Sequence, residues 1–356
     1  MYRTLTNIGV IVVAFVLPRI VSAHEMYVLS AEEVRTALAS PSFDMLAVLQ
    51  ADLMHFIYWA CIGMATVIAV FFVSVSRSLE RRCDPFFLRV RRYAAPVARI
   101  TIGLSFLAAA YYQATYGPEL PLSAAYGAYA SFATALLVLI GVLTILGFYV
   151  RFAALVALLF FAYAAYRNGI YMLTYANYLG EILVLLILGS HHGASPKVWL
   201  KGEFGKLEHM YVRFAKKLAP YSFAVLRICF GISLLYSSLY AKILHNNLAL
   251  TVANLPLPGR VISVAGALGF EPHFLVLGAA IIEIVLALFF IFGIELLFTS
   301  FFLLFWLMLS LLYFGEAVWP HIILIGLPIA FILSGYDKYS LEGKFFKKKG
   351  GWEPVL

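Results

Sequence analysis

The chain has 356 residues, 63% of them hydrophobic and 12% charged, and a formal net charge of +8. A soluble domain carries about 25% charged residues, so this composition, with a mean hydropathy of +0.92, excludes an ordinary soluble enzyme and leaves a polytopic α-helical membrane protein. The positive charge is no sign of a nucleic-acid partner, because in such proteins Lys and Arg gather on loops kept at the cytoplasmic face.

Residues 1–23 read as a secretory signal peptide. Arg3 gives the positive start, Ile8 to Leu17 the apolar core, and Val21-Ser22-Ala23 a small-residue cleavage site. Arg19 stands close to that site, and the alternative is an uncleaved anchor. Cleavage leaves His24 at the mature N-terminus, outside. Residues 24–96 then hold an extracytoplasmic segment, one transmembrane helix and a basic inner loop. Ser30-Ala31-Glu32-Glu33 has capping-box spacing and predicts a short helix, ended by Ser40-Pro41. The run from Phe56 to Val75 is apolar enough to span, and Arg77, Arg81, Arg82, Arg89, Arg91 and Arg92 follow it.

The most informative pattern comes next. Val97-Ala98-Arg99-Ile100-Thr101-Ile102-Gly103-Leu104-Ser105-Phe106-Leu107 returns 128 residues later as Val225-Leu226-Arg227-Ile228-Cys229-Phe230-Gly231-Ile232-Ser233-Leu234-Leu235, with six of 11 positions identical. Three further apolar runs follow each copy. The predicted spans are 97–116, 123–149, 151–168 and 170–189 in a first unit, 97–190, and 221–245, 272–293, 296–315 and 319–336 in a second, 221–336. A basic cytoplasmic linker, 191–220, joins them, and a basic tail, 337–356, ends the chain. The fold class is therefore all-α, a polytopic membrane bundle of about nine transmembrane helices after signal removal, with two parallel four-helix repeats. Gly103, Gly141, Gly231 and Gly278 are the small residues expected to let helices approach closely.

Charge sets the orientation. The three inner segments hold 17 Lys and Arg, whereas the mature outer segments hold three, Arg35, Arg167 and Arg260. The reading is a multi-pass plasma-membrane protein with its mature N-terminus outside and its C-terminus cytoplasmic. Arg99 and Arg227 open equivalent helices at the inner face and are expected to snorkel towards it. Tyr111, Tyr112, Tyr116, Tyr166, Tyr171, Tyr175 and Tyr178 cluster near outer helix ends, either as an interfacial aromatic belt or as the lining of a pocket for a ring-shaped ligand. The long outer connection 246–271, with Pro256, Pro258 and Gly259, has the form of a lid or docking surface.

The second unit resembles the DoxX family of small four-helix membrane proteins. The resemblance is carried by Leu226-Arg227-Ile228-Cys229-Phe230-Gly231, by Tyr240-Ala241-Lys242-Ile243, and by Glu283 followed ten residues later by Gly293. The first unit is similar to it more weakly, with Ala114 opposite Lys242 and Leu137 opposite Glu283, so the second unit alone keeps a family site. The resemblance implies a subunit of a membrane-associated, quinone-linked oxidoreductase system. Quinone is then a candidate cofactor, and an extracytoplasmic or membrane redox protein is a candidate partner beside the lipid bilayer. The alternatives are a transporter or metal-handling permease, and a non-catalytic assembly partner.

Ionisable residues inside spans need a reason, since a charge at the bilayer centre costs about 3 kcal/mol or more. Glu283 lies halfway along its span and Glu181 equally deep in its own. Lys242, near an outer helix end, is expected to pair with Glu283 or Glu316. Such a pair either fixes helix register or forms a substrate, proton or quinone site. Tyr313 to His321 is the densest polar and aromatic patch: Glu316 and His321 flank a tight connection and have the chemistry to move protons, and Trp319 can cover a flat ligand. A capped turn with an interfacial Trp is the plainer account. The amine and imidazole of His24 form a possible copper grip, but the remaining histidines lack ligand spacing. Cys61, Cys83 and Cys229 have no CxxC spacing and read as small hydrophobes.

Overall fold

In hydrocarbon a backbone can hydrogen-bond only to itself, so long apolar runs become helices. The computed structural model describes residues 31–52, 91–189, 213–256, 262–314 and 319–334, with scattered positions beyond these. Residues 1–23, most of the 56–75 run, 191–212, 315–318 and 342–356 lie outside the described set. The described residues are all-helical, with two isolated bridges and no strand. In chain order the helices are α1 Ala31–Ala39, α2 Met45–Asp52, α3 Ala94–Tyr111, α4 Leu122–Tyr126, α5 Ala130–Leu146, α6 Val150–Asn168, α7 Ala176–Leu188, α8 Ser222–Ser238, α9 Asn247–Asn254, α10 Val264–Leu268, α11 Pro272–Phe292, α12 Leu296–Phe314 and α13 His321–Ser334. α1 forms at the capping-box spacing and stops before Ser40-Pro41.

Among the described residues five helical stretches are long and apolar enough to cross a membrane: Arg91–Tyr111, Leu122–Leu146, Val150–Leu188, Arg213–Leu244 and Pro272–Phe292. The third holds both α6 and α7, joined by a 3-10 segment, Gly169–Tyr175. Two shorter apolar helices, Leu296–Leu309 and His321–Ser334, accompany them. Their outward faces carry large apolar side chains, among them Phe132 at 65% and Leu159 at 63% exposure. A surface of this kind is matched to lipid rather than to water.

α3 packs on α5 and α8 on α11, while α7 packs on α8 and α13 on α3. The closest crossings are built on glycine. A Cβ added to Gly231 would fall 2.8 Å from the Ala287 carbonyl oxygen and 2.9 Å from the Ile291 nitrogen. At Gly103 it would fall 3.0 Å from the Gly141 oxygen and 3.2 Å from the Ile145 nitrogen. Gly103, Gly141 and Gly231 thus hold helices in close approach, as expected. Gly278 does not: among the described residues nothing lies within 4 Å of the place its Cβ would take.

One end of the bundle is basic. Arg227 is not a snorkelling side chain. It is 1% exposed, and its guanidinium donates to the carbonyls of Phe290 and Ile291 at the end of α11. Those carbonyls have no partner within the helix, and the negative end of the helix dipole favours a cation there. Gly293, at φ 68, turns the chain away beneath Arg227. Arg99 lies over Gly147, at φ 76, in the same way at the end of α5, and Arg151 donates to the Ile187 carbonyl near the end of α7.

The opposite end is rich in tyrosine and carries the short helices. Asn246 is fully buried there and clamps Phe43 at both backbone groups, accepting from its N–H at 3.0 Å and donating to its carbonyl at 2.8 Å. Asn247 donates to the Ser40 and Pro41 carbonyls. Leu29, Ala37, Leu248 and Val252 form a small core beneath. The segment before the bundle is thereby tied to the start of the 246–271 connection.

Candidate intramembrane polar site

After Ser238 the helix widens into one π turn, Leu239–Leu244, closed by the His245 N–H donating to the Tyr240 carbonyl at 2.9 Å. π turns shift the side chains that follow and recur at functional sites. Lys242 sits on this turn. Its Nζ lies 3.0 Å from Glu283 Oε2, with the two side chains 8% and 15% exposed. The second carboxylate oxygen, Oε1, accepts from the Trp306 indole N–H at 3.3 Å. Three elements converge here, the π turn, α11 and α12. Burying two opposite charges is tolerated when hydrogen bonds supplement their attraction, and Trp306 supplies one. An ammonium, a carboxylate and an indole N–H together can bind and orient a carbonyl oxygen and can pass a proton.

Trp319 and His321 stand at the start of α13, 6% and 4% exposed. Trp319 stacks on Tyr112, with ring centroids 4.8 Å apart and planes 10° from parallel. Its carbonyl accepts from Ser105 at 3.4 Å. Trp319 is thus a packed side chain against α3 and its C-cap Tyr112. Glu316 lies outside the described residues.

The tyrosines divide into two groups. Tyr111 and Tyr166 are 80% and 84% exposed and form a belt. Tyr116, Tyr175 and Tyr178 are buried, which an interfacial belt does not explain. Tyr171 and Tyr175 both donate to Glu119 Oε1, Tyr171 at 3.0 Å. Tyr178 shares a 2.9 Å hydrogen bond with Ser105, and its ring meets that of Tyr116 at 5.0 Å. Tyr171 also touches the Tyr240 ring at 5.2 Å. The buried tyrosines therefore extend from Ser105, which holds the Trp319 carbonyl, to the turn that carries Lys242. Glu181 lies on α7 one turn beyond Tyr178 and is 2% exposed.

The residues missed from the sequence are Trp306, Glu119, Ser105 and Ser233. Glu119 sits in a Gly-Pro-Glu loop that carries no motif. Trp306 stands in an unbroken apolar run. The two serines occupy one position of the repeated segment, which was the available signal. Ser233 donates to the Thr174 carbonyl and, at 3.2 Å, to the Asn177 side chain.

His273 and Glu271 are paired at 2.6 Å on the exposed start of α11. Burial alone would raise the Glu271 pKa. The hydrogen bond from His273 and the Phe274 backbone N–H outweigh it and hold that pKa below the ordinary carboxyl value. A depressed folded pKa stabilises above the unfolded pKa and is lost as pH falls through the folded value. Thermal melts in detergent are therefore expected to lose this small contribution on the acid side, and Glu271→Gln is expected to remove that part of the pH dependence. Among the described residues no group of three His, Cys, Asp or Glu could hold a metal ion, and His24 lies outside them. In comparisons with protein-family models, curated proteins and solved structures, nothing matches this chain.

Proposed function

We propose that this chain is a DoxX-like membrane protein that serves as the membrane subunit of a quinone-linked oxidoreductase system. In this reading it has about nine spans and two parallel four-helix units, with the basic ends of the helices facing the cytoplasm. Three things support the duplication. The repeated sequence segments are the first. The second is reciprocal packing, in which the last helix of each unit lies on the first helix of the other. The third is the matched close approach of Gly103 to the 141–145 turn and of Gly231 to the 287–291 turn.

The observation that carries the functional reading is the buried Lys242–Glu283 pair with the Trp306 indole on the same carboxylate. A quinone needs a donor for its ring carbonyl and an acid nearby, because reduction to the quinol consumes protons along with electrons. The Lys242 ammonium is the donor and Glu283 the proton carrier. The electrons come from a partner redox protein. Tyr240 and Tyr171 offer flat faces beside the π turn. Mild-detergent purification followed by extraction and quantification of quinone tests this. Quinone is expected in wild-type protein and is expected to be lost in Lys242→Ala/Glu283→Leu. A second reading, a proton-coupled permease, is favoured by the buried Glu181 carboxyl. Solute-dependent flux in liposomes without bound quinone would select it.

A further inference from the structure

Glu181 is buried on α7, which packs on α6 and α8, and among the described residues neither of its carboxylate oxygens has a hydrogen-bond partner. An ionised carboxylate with neither a cation nor donors is costly in apolar surroundings, by several kcal/mol in order of magnitude. The elements packed against α7 carry Cys229 and Arg227 on α8, Arg151 on α6, Arg99 on α3, Tyr175 on the 3-10 segment and His321 on α13. None of them hydrogen-bonds Glu181. Arg227 and Arg151 are engaged with helix-terminal carbonyls at the basic end, and Arg99 lies over Gly147 there.

The fold does not need a carboxyl at this position. Gly180 lies against Cys229, where a Cβ would fall 2.6 Å from the Cys229 Cβ, and Gly326 lies against Thr101. Cys229 and Thr101 hold the same place in the repeated segments, two residues after Arg227 and Arg99. In that alignment Glu181 corresponds to Leu327, which is fully buried. An apolar side chain fills the equivalent place, so structural demand does not account for an acid in the first unit.

A hydrogen-bonded pair of hydroxyls begins one turn away on the same helix, with no hydrogen bond to the Glu181 carboxyl itself. Tyr178 lies one turn earlier on the same helix face, is 1% exposed, and shares its hydroxyl proton with Ser105 at 2.9 Å. Ser105 in turn reaches the Trp319 carbonyl towards the tyrosine-rich end. We propose that Glu181 is an intramembrane proton-binding site, separate from the Lys242–Glu283 pair, that exchanges its proton through the Tyr178 hydroxyl. The proposal rests on α7 and does not depend on the quinone reading.

Infrared difference spectroscopy of the purified protein across a pH titration tests it. A carboxylic-acid carbonyl band is expected that shifts in heavy water, is lost in Glu181→Gln, and is kept in Glu283→Gln. Tyr178→Phe is expected to slow the heavy-water shift. If Glu181→Gln does not fold, Glu181→Leu, patterned on Leu327, is the replacement. A hydrophobic carbodiimide, which adds to protonated carboxyls in apolar sites, is expected to label Glu181 in peptide maps, with no protection by sodium. A band unchanged in both Glu181 variants, a shift rate unchanged in Tyr178→Phe, or protection by sodium would overturn the proposal.

Discussion

Lys242→Ala is expected to destabilise the folded protein by about 3–5 kcal/mol, measured by unfolding in mixed micelles, because it leaves the Glu283 carboxylate buried without its cation. Glu283 is 15% exposed and keeps only the Trp306 indole N–H of its two hydrogen-bonding contacts. Glu283→Leu alone is expected to destabilise for the converse reason, because the buried Lys242 ammonium loses this carboxylate. The double variant Lys242→Ala/Glu283→Leu is expected to recover most of the loss. It reproduces Ala114 and Leu137, the residues opposite the pair when the two similar sequence segments are aligned, both of them buried at 2% and 1% exposure. The double variant therefore separates the two roles. If the pair exists only to fix helix register, the double variant keeps everything that the wild type does. If the pair binds a ligand, stability returns and ligand binding does not.

The second large effect is expected at Gly231. A side chain there meets backbone atoms of α11 rather than the end of a flexible side chain, so the helices must separate. Gly231→Val is expected to cost about 3 kcal/mol or more, again in mixed micelles, with loss of monodisperse protein. Gly103→Val is expected to follow it at the corresponding crossing. Gly278→Ala is the internal control. It faces open space within a long helix, so the gain in helix propensity, about 1 kcal/mol, is expected without any packing penalty. Equal effects at Gly231 and Gly278 would mean that the close approach of α8 to α11 carries little of the stability.

The all-helical class was easily read, because long apolar runs leave few alternatives in a bilayer; five of the stretches among the described residues are long and apolar enough to cross one. Arg, Gly and Ser also recur in one fixed pattern in the segments 97–107 and 225–235. What those recurring residues do was less legible. Arg227 reads as an anchor in sequence, because nothing there reveals that the C-terminus of α11, 63 residues further on, ends beside its guanidinium. The π turn is invisible in Leu239–Leu244, since its geometry depends on packing and not on any residue of special propensity. It nevertheless directs Lys242 towards Glu283. In sequence Tyr116, Tyr175 and Tyr178 look like exposed Tyr111 and Tyr166, tyrosines near predicted outer helix ends. Only the helix crossings decide which hydroxyls turn inward. Glu181 stood out on charge alone, and its lack of partners follows from contacts across α7 and α8 that no local pattern encodes.

The central claim is that the buried Lys242–Glu283–Trp306 group holds a quinone. Quantifying quinone extracted from mildly purified wild-type protein and from Lys242→Ala/Glu283→Leu, both at matched folded fraction, tests it most directly. The account predicts near-stoichiometric quinone in the wild type and none in the double variant. Equal quinone in both, or none in a well-folded wild type, would contradict it.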